Sequence, residues 1–403
     1  MNKLIRGLAL AFCLGSCAEN PTKAPDPASD MDAARFAASS SLAVRAKLAG
    51  RPGTYVVRHG GEEVFRVEAL KWRNGHKGAV SITYDAPWGI ASVFSLATDA
   101  VIARGLRMDL EIVSNSLQHF TRYPIIQRMQ QELRPHGIGF FGHGHEHIHY
   151  DWYGFKVAYE AFRTNFELME RWGFEPKTYA YPHWAGTLLG TQAANRQAGF
   201  IAARGGIRRP ATHAEYYICP DDTHEPSNWY FLPSVIMGSK DGTDIPHHDA
   251  LKPILDGALN AEAWLILTYH AIGNPEAWGY YPLPEFERDL DYIAGRDFWN
   301  GNLDAITAYI QERNALDIQI VRYFGVGAPK QFELTIGDGL DNRLYDEPLT
   351  FEFNFNPEHR VRRVHFDPPI GGVSSFEVEA DRLRVHMVPD ERRYALVLER
   401  DTE

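Results

Sequence analysis

The run Ile138-Gly139-Phe140-Phe141-Gly142-His143-Gly144-His145-Glu146-His147-Ile148-His149-Tyr150-Asp151 begins as an apolar strand and ends as a polar loop. Four of the chain's 17 histidines lie between positions 143 and 149. Neutral imidazole is the commonest metal-binding side chain, and spacing i, i+4 lets two rings converge on one ion. A ligand-rich segment where a strand hands over to a loop is the place where alternating β/α folds gather catalytic residues.

Working outward, the flanking sequence repeats that strand-then-helix texture. Ala79 to Tyr84 is an apolar strand ending in Asp85, followed by a helical pattern near Ile90 to Arg104. Met108 to Val113 reads as the next strand and Tyr123 to Leu133 as its helix, with Pro124 tolerated in the first turn. After the histidine run, Tyr159 to Trp172 has helical spacing, Thr178 to Tyr181 is a strand stopped by Pro182, and Leu188 to Gln197 is a helix closed by Gly199. Phe200–Ala203, Phe231–Ile236 and Ala263–Tyr269 are further strands, among helices near Ala250–Leu259, Glu285–Ile293 and Leu303–Arg313. At least six strand–helix units in series predict a parallel α/β barrel over residues 77–316. Beyond residue 317, short alternating apolar runs separated by Gly, Pro, Asp and Asn predict an all-β, sandwich-like domain at 317–403. Residues 34–76 read as a small β-containing prelude packed on the barrel, with strands at Tyr55–Val57 and Glu63–Val67.

The 403 residues carry a formal charge of −11, which speaks against a general nucleic-acid binder, and 44% apolar residues suffice for sizeable cores. Lys3 and Arg6 precede the short apolar run Leu8–Leu14, too short to span a bilayer, so residues 1–17 read as a targeting segment. Leu14-Gly15-Ser16-Cys17 resembles the lipobox of bacterial lipoproteins. That resemblance implies export, a lipid anchor on Cys17 and, with Ala18 next, sorting to the outer membrane. Residues 18–33 read as a flexible tether. Only Cys219 would then remain as a thiol, which leaves no internal disulfide.

Three more strand ends place ionisable groups at the same rim of such a barrel: Tyr84-Asp85, Tyr181-Pro182-His183 and Tyr269-His270. A carboxylate, paired imidazoles and a further histidine suffice for metal-assisted hydrolysis, in which a carboxylate takes the proton of water and a histidine protonates the leaving group.

Taken in order, these segments resemble the polysaccharide deacetylase family (the NodB-homology domain, carbohydrate esterase family four and relatives) over roughly residues 78–315. Thr83-Tyr84-Asp85 is similar to the family's first motif, T-F-D-D. His143-Gly-His-Glu-His147 is similar to its H-x-x-x-H metal motif. Tyr179-Ala-Tyr-Pro182, with Ala198-Gly-Phe200 and Ala202-Ala-Arg204, is similar to its third motif, and Leu267-Thr-Tyr-His270 to its closing motif. The resemblance implies a distorted (β/α)7 barrel, a divalent metal (usually zinc) and removal of acetyl groups from a polysaccharide. It further implies His143 and His147 as metal ligands, His270 as general acid and Arg204 as the partner of the base carboxylate.

One departure bears on the chemistry. The family's first motif has two aspartates, a base followed by a metal ligand, whereas Asp85 is followed by Ala86-Pro87-Trp88. Asp85 is then either the base, with a carboxylate ligand missing, or the ligand, with Asp151 or Glu146 as base; a dead site is the third reading. His145 and His149 are expected to be bystanders, and His247 and His248 to face water. Tyr181, His183, Trp184 and Trp88 are candidate substrate contacts, with Trp152 and Trp278 as further aromatic platforms for a saccharide. The alternatives are hydrolysis of another amide or ester, or glycan binding by a catalytically impaired lipoprotein.

Overall fold

Strands Gly78–Tyr84 and Trp264–Tyr269 are buried along their whole length, as strands covered on both faces must be. They pair in parallel, with Ala79 opposite Trp264 and Tyr84 opposite Tyr269. The computed structural model describes residues 44–47, 54–59, 61–85, 92–220, 226–239, 245–324 and 330–401. The targeting segment, the tether and Trp88 lie outside them. Among the described residues no helix is long and apolar enough to cross a membrane.

Around these two strands the sheet runs in the order 202–204, 178–180, 138–142, 108–112, 78–84, 264–269 and 235–236, all parallel. Leu232 forms a parallel bridge with Arg204, and Val235 pairs with Leu267. The segment 232–236 therefore bonds to both end strands and carries the sheet round into a distorted barrel of seven strands. Phe298–Asn300, a strand too short to stand out in the sequence, pairs beside Gly78–Val80 at the bottom.

Helices cover the outside. Gly154–Arg171 buries Ala158, Ala161, Phe162, Asn165, Phe166 and Met169, an i, i+3, i+4, i+7 stripe that faces the sheet. Each fully buried Phe or Leu of such a stripe contributes about 1.5–3 kcal/mol. The parallel arrangement puts every strand's C-terminal end, and so Asp85, Glu111, His143, Tyr181, Arg204 and His270, at one rim.

The remainder is all-β, and it corrects the expected prelude. Val44–Lys47 and the hairpin Thr54–His59 and Glu62–Ala69 join Leu349–Phe355 and Arg382–Met387 in one antiparallel five-stranded sheet. The second five-stranded sheet comprises Asp317–Phe324, Gln331–Gly337, Asp390–Arg400, Val361–Ile370 and Val373–Glu377. Phe65 of the first sheet meets Phe332 of the second with ring centroids 5.1 Å apart, and Phe353 meets Phe366 at 5.9 Å. The early strands are thus three of the five strands of one sheet of the C-terminal sandwich, because their apolar faces find a second sheet there. The sandwich joins the barrel through helix Leu303–Ala315: Tyr55 donates to Leu316 O at 2.8 Å and Tyr309 to Leu70 O at 2.8 Å.

Candidate metal and active site

Gly142 ends its strand, and Gly144 sits at φ +93°, a conformation that a side chain would strain. This turn folds the histidine run back over the end of strand Met108–Ile112. His143 N donates to Ile112 O at 3.0 Å, and Ser114 N to Gly144 O at 3.1 Å. The consequence is an unexpected neighbour: Glu111 Oε2 lies 3.2 Å from His143 Nε2. One donor atom from each of Glu111, His143 and His147 lies within 4.8 Å of the others.

The tautomer of His143 follows from its other nitrogen. Nδ1 is 2.9 Å from the Ala180 carbonyl, which can only accept, so Nδ1 carries the proton. Burial, outweighing the pull of Asp85, holds His143 down at about 3, so the ring is neutral. Its Nε2 lone pair therefore faces a carboxylate oxygen across 3.2 Å, an arrangement that calls for a cation or a proton between them. Burial and the negative charge of Asp85 push the Glu111 carboxyl well above its usual range. His147 completes the cluster, with its ring 5.0 Å from that of His143, and burial lowers its pKa too. Two histidines and a glutamate are a recurrent donor set of catalytic zinc sites, which keep a further position for water. The residues fit a divalent metal.

Asp85 is not part of this set. One of its oxygens is paired with Arg204, and the other lies 3.8 Å from His270 Nε2. Burial, the largest single influence, favours the neutral acid, but Arg204, His143 and His270 together outweigh it, and Asp85 is held at about 2. Arg204 is itself fixed by Thr268 Oγ1 at 2.9 Å, which donates in turn to Ser234 Oγ at 3.1 Å. Removing one partner of such a buried pair costs about 3–5 kcal/mol. His270 is held neutral by burial, at about 4, and its buried Nδ1 has no hydrogen-bond partner.

Asp85 thus stands outside the three-donor cluster, held between Arg204 and His270, and the carboxylate beside His143 and His147 is Glu111, from the adjacent strand. The other two acids raised by the sequence, Asp151 and Glu146, have partners elsewhere. Asp151 accepts from Gly186 N, Thr187 N and Thr187 Oγ1 at 2.8–3.1 Å. Glu146 lies beside His145, 3.8 Å from its Nε2. His145 is bound to Ser114 Oγ at 3.0 Å, and His149 stacks on Trp152, so both stand apart from the ligand cluster.

Among the substrate candidates, His183 is exposed, with its ring 4.5 Å from that of His147. Trp184 and Trp278 meet at 5.3 Å, and Trp278 lies edge-on to His270 at 4.5 Å. Tyr181 is corrected: the residue is only 2% exposed and its ring packs on Tyr179 and Phe162, because the chain turns at Pro182 and buries it inward. His248 is also corrected: it is buried, with Nδ1 2.8 Å from Asp289 Oδ1 rather than facing water.

Glu111 escaped the sequence reading because Met108-Asp109-Leu110-Glu111-Ile112 alternates like a strand with one solvated face. Here both faces are covered, and the signal lay in the paradox of carboxylates on a buried barrel strand. Asp109, at the other end, accepts from Leu303 N at 2.8 Å and caps a helix instead.

No family model matches the chain, and no curated protein does. Solved structures do match. A candidate polysaccharide deacetylase from Mycobacterium smegmatis is 13% identical, with 60% of this chain and 93% of that one covered, at a TM-score of 0.46. Agd3, a carbohydrate deacetylase, is 8% identical over 86% of this chain and 72% of its own, at 0.44. PuuE allantoinase is 15% identical over 60% and 92%, at 0.40. Likeness at this level assigns no chemistry, which rests on the residues themselves.

Proposed function

We propose that this chain is a metal-dependent hydrolase that removes acetyl groups from a carbohydrate. Glu111, His143 and His147 hold the metal, zinc by preference of the donor set; Asp85 is the base and His270 the acid. The observation that carries the reading is the convergence of the three donors at the same rim as the Asp85–Arg204 pair and His270. A divalent metal held there would lower the pKa of water and polarise the acetyl carbonyl. Asp85, ionised at neutral pH, accepts the proton of the attacking water. Its free oxygen is 3.8 Å from His270 Nε2, so that proton is near the imidazole that delivers it to the leaving oxygen or nitrogen. The carbon–oxygen or carbon–nitrogen bond breaks, and acetate is released. Arg204 keeps Asp85 oriented and ionised, while Trp184 and Trp278 wall the side of the cleft on which the sugar packs.

The amino-terminal segment supports export and anchoring through Cys17, which would place the reaction at the cell surface. The test is acetate release from O- and N-acetylated oligosaccharides by the purified protein, before and after chelation and with zinc restored. Release that survives complete removal of the metal would sink the reading.

A further inference from the structure

Beside His270 the chain accepts strain in order to position one side chain. His183 and Trp184 are consecutive non-glycine residues at φ +56° and +55°. Left-handed backbone of this kind costs roughly 1–2 kcal/mol per residue and persists only where surrounding packing enforces it. What it achieves is to lay the Trp184 indole across the backbone of Gly206. A Cβ at Gly206 would collide with that ring, so the glycine after Arg204-Gly205 is needed for the approach.

On the Trp184 ring lies the guanidinium of Arg208, its carbon 3.7 Å from the ring centroid. The side chain is exposed, and among the described residues it stacks on Trp184 without an ion-pair partner. Stacking pre-orients the planar fork while its edge can still donate, the state in which arginine recognises a carboxylate or phosphate bidentately. The Trp184 ring is 6.4 Å from that of His270, and Trp278 bridges the two. The guanidinium is therefore within about 10 Å of the catalytic imidazole, the reach of a neighbouring sugar residue. The chain's formal charge is −11, so a stacked, exposed cation with no ion-pair partner among the described residues stands out from an acidic background.

We propose that Arg208, stacked on Trp184, is an anion subsite that selects glycans carrying a negative group, a carboxylate or a phosphate, on a residue next to the acetylated one. This rests on the deacetylase reading for its biological meaning, but binding tests it separately.

The experiment compares O-acetylated oligouronates, O-acetylated phosphorylated oligosaccharides and neutral O-acetylated oligosaccharides of equal length. The full metal-loaded protein, Arg208→Gln and Arg208→Lys are each assayed for acetate release and, with deacetylated oligomers, for calorimetric binding. The wild type is expected to prefer one of the anionic series. In Arg208→Gln the ratio of kcat/KM for that series over the neutral one falls about tenfold, carried by KM, and Arg208→Lys recovers only part of it. The preference of the wild type also shrinks as salt is raised, since an exposed charge pair is screened. A wild type with no anionic preference, or a ratio unchanged in Arg208→Gln, overturns the subsite. If none of the substrates is hydrolysed, the deacetylase reading fails; the subsite still stands where anionic oligomers bind about tenfold more weakly to Arg208→Gln, and falls where they do not.

Discussion

Replacing Glu111 by Gln is the sharpest test of the metal site, because it keeps the side chain's volume and removes only its charge. In the native site Glu111 Oε2 faces the unprotonated Nε2 of His143 at 3.2 Å, and the ring is locked by its bond to Ala180 O at 2.9 Å. Loss of groups that merely orient metal ligands weakens metal binding about 10–100-fold. A direct anionic donor should therefore cost at least about 100-fold, or roughly 2.7 kcal/mol. The same factor returns as stability: at saturating metal, the stabilisation RT ln(1 + [L]/Kd) falls by about 2.7 kcal/mol for a 100-fold weaker site. The metal-free variant should be as stable as the metal-free wild type or more so, since a buried carboxyl has been replaced by a neutral amide. Competition against a chromophoric zinc chelator gives the affinity, and unfolding with and without zinc gives both stabilities. Glu146→Gln, which alters a carboxylate beside His145 outside the cluster, is the control and should bind zinc as the wild type does. A zinc Kd for Glu111→Gln within about threefold of wild type would refute the assignment, as would an equal loss in the control.

Asp85→Asn should lower turnover about 10²–10⁴-fold while zinc stays bound, because Asp85 stands outside the ligand cluster; zinc loss measured by metal analysis would return Asp85 to the ligand set. Glu312, buried where the barrel meets the β-sandwich, is pushed up to about 9 from an ordinary 4.5, by burial first and Asp338 next. A folded-state value above the unfolded one means that the folded protein holds the extra proton, so stability declines as pH rises between these limits, by about 1.4 kcal/mol per unit. Denaturant unfolding of Glu312→Gln between pH 5 and 8 should show that decline removed; an unchanged slope would show that Glu312 is not its source. Gly142→Ala would set a Cβ 2.5 Å from Asn165 Oδ1 and 2.7 Å from Phe200 Cζ, so thermal unfolding should register a loss of about 1–3 kcal/mol. A Tm equal to wild type would show that the strand end has more room than the packing implies.

Much of this protein is legible in the chain itself. Apolar runs such as 79–84 and 264–269, each ending in an ionisable residue, state both the parallel barrel and its rim, because burial on two faces and a shared strand direction leave little freedom. His143 and His147 are legible for a local reason: four residues and a glycine turn bring them together whatever the rest of the chain does. His270 and Arg204 are placed by the same strand-end logic.

Other features are set by register and by partners distant in sequence. Glu111 meets His143 and His147 only because the loop 142–149 folds over the neighbouring strand, and its alternating sequence reads the same for a solvated face as for a barrel lumen. Hairpin 54–69 looks self-contained until Phe353 and Val67 are found opposite one another across nearly three hundred residues. Arg208 and Trp184 meet through left-handed backbone that few sequence patterns announce. Sequence alone determined that Asp85, His143, Arg204 and His270 reach the rim, since each directly ends an apolar strand and strand direction is a local property. Only the tertiary structure decided which of them touch, since contact depends on register and loop path, which one-dimensional spacing does not encode.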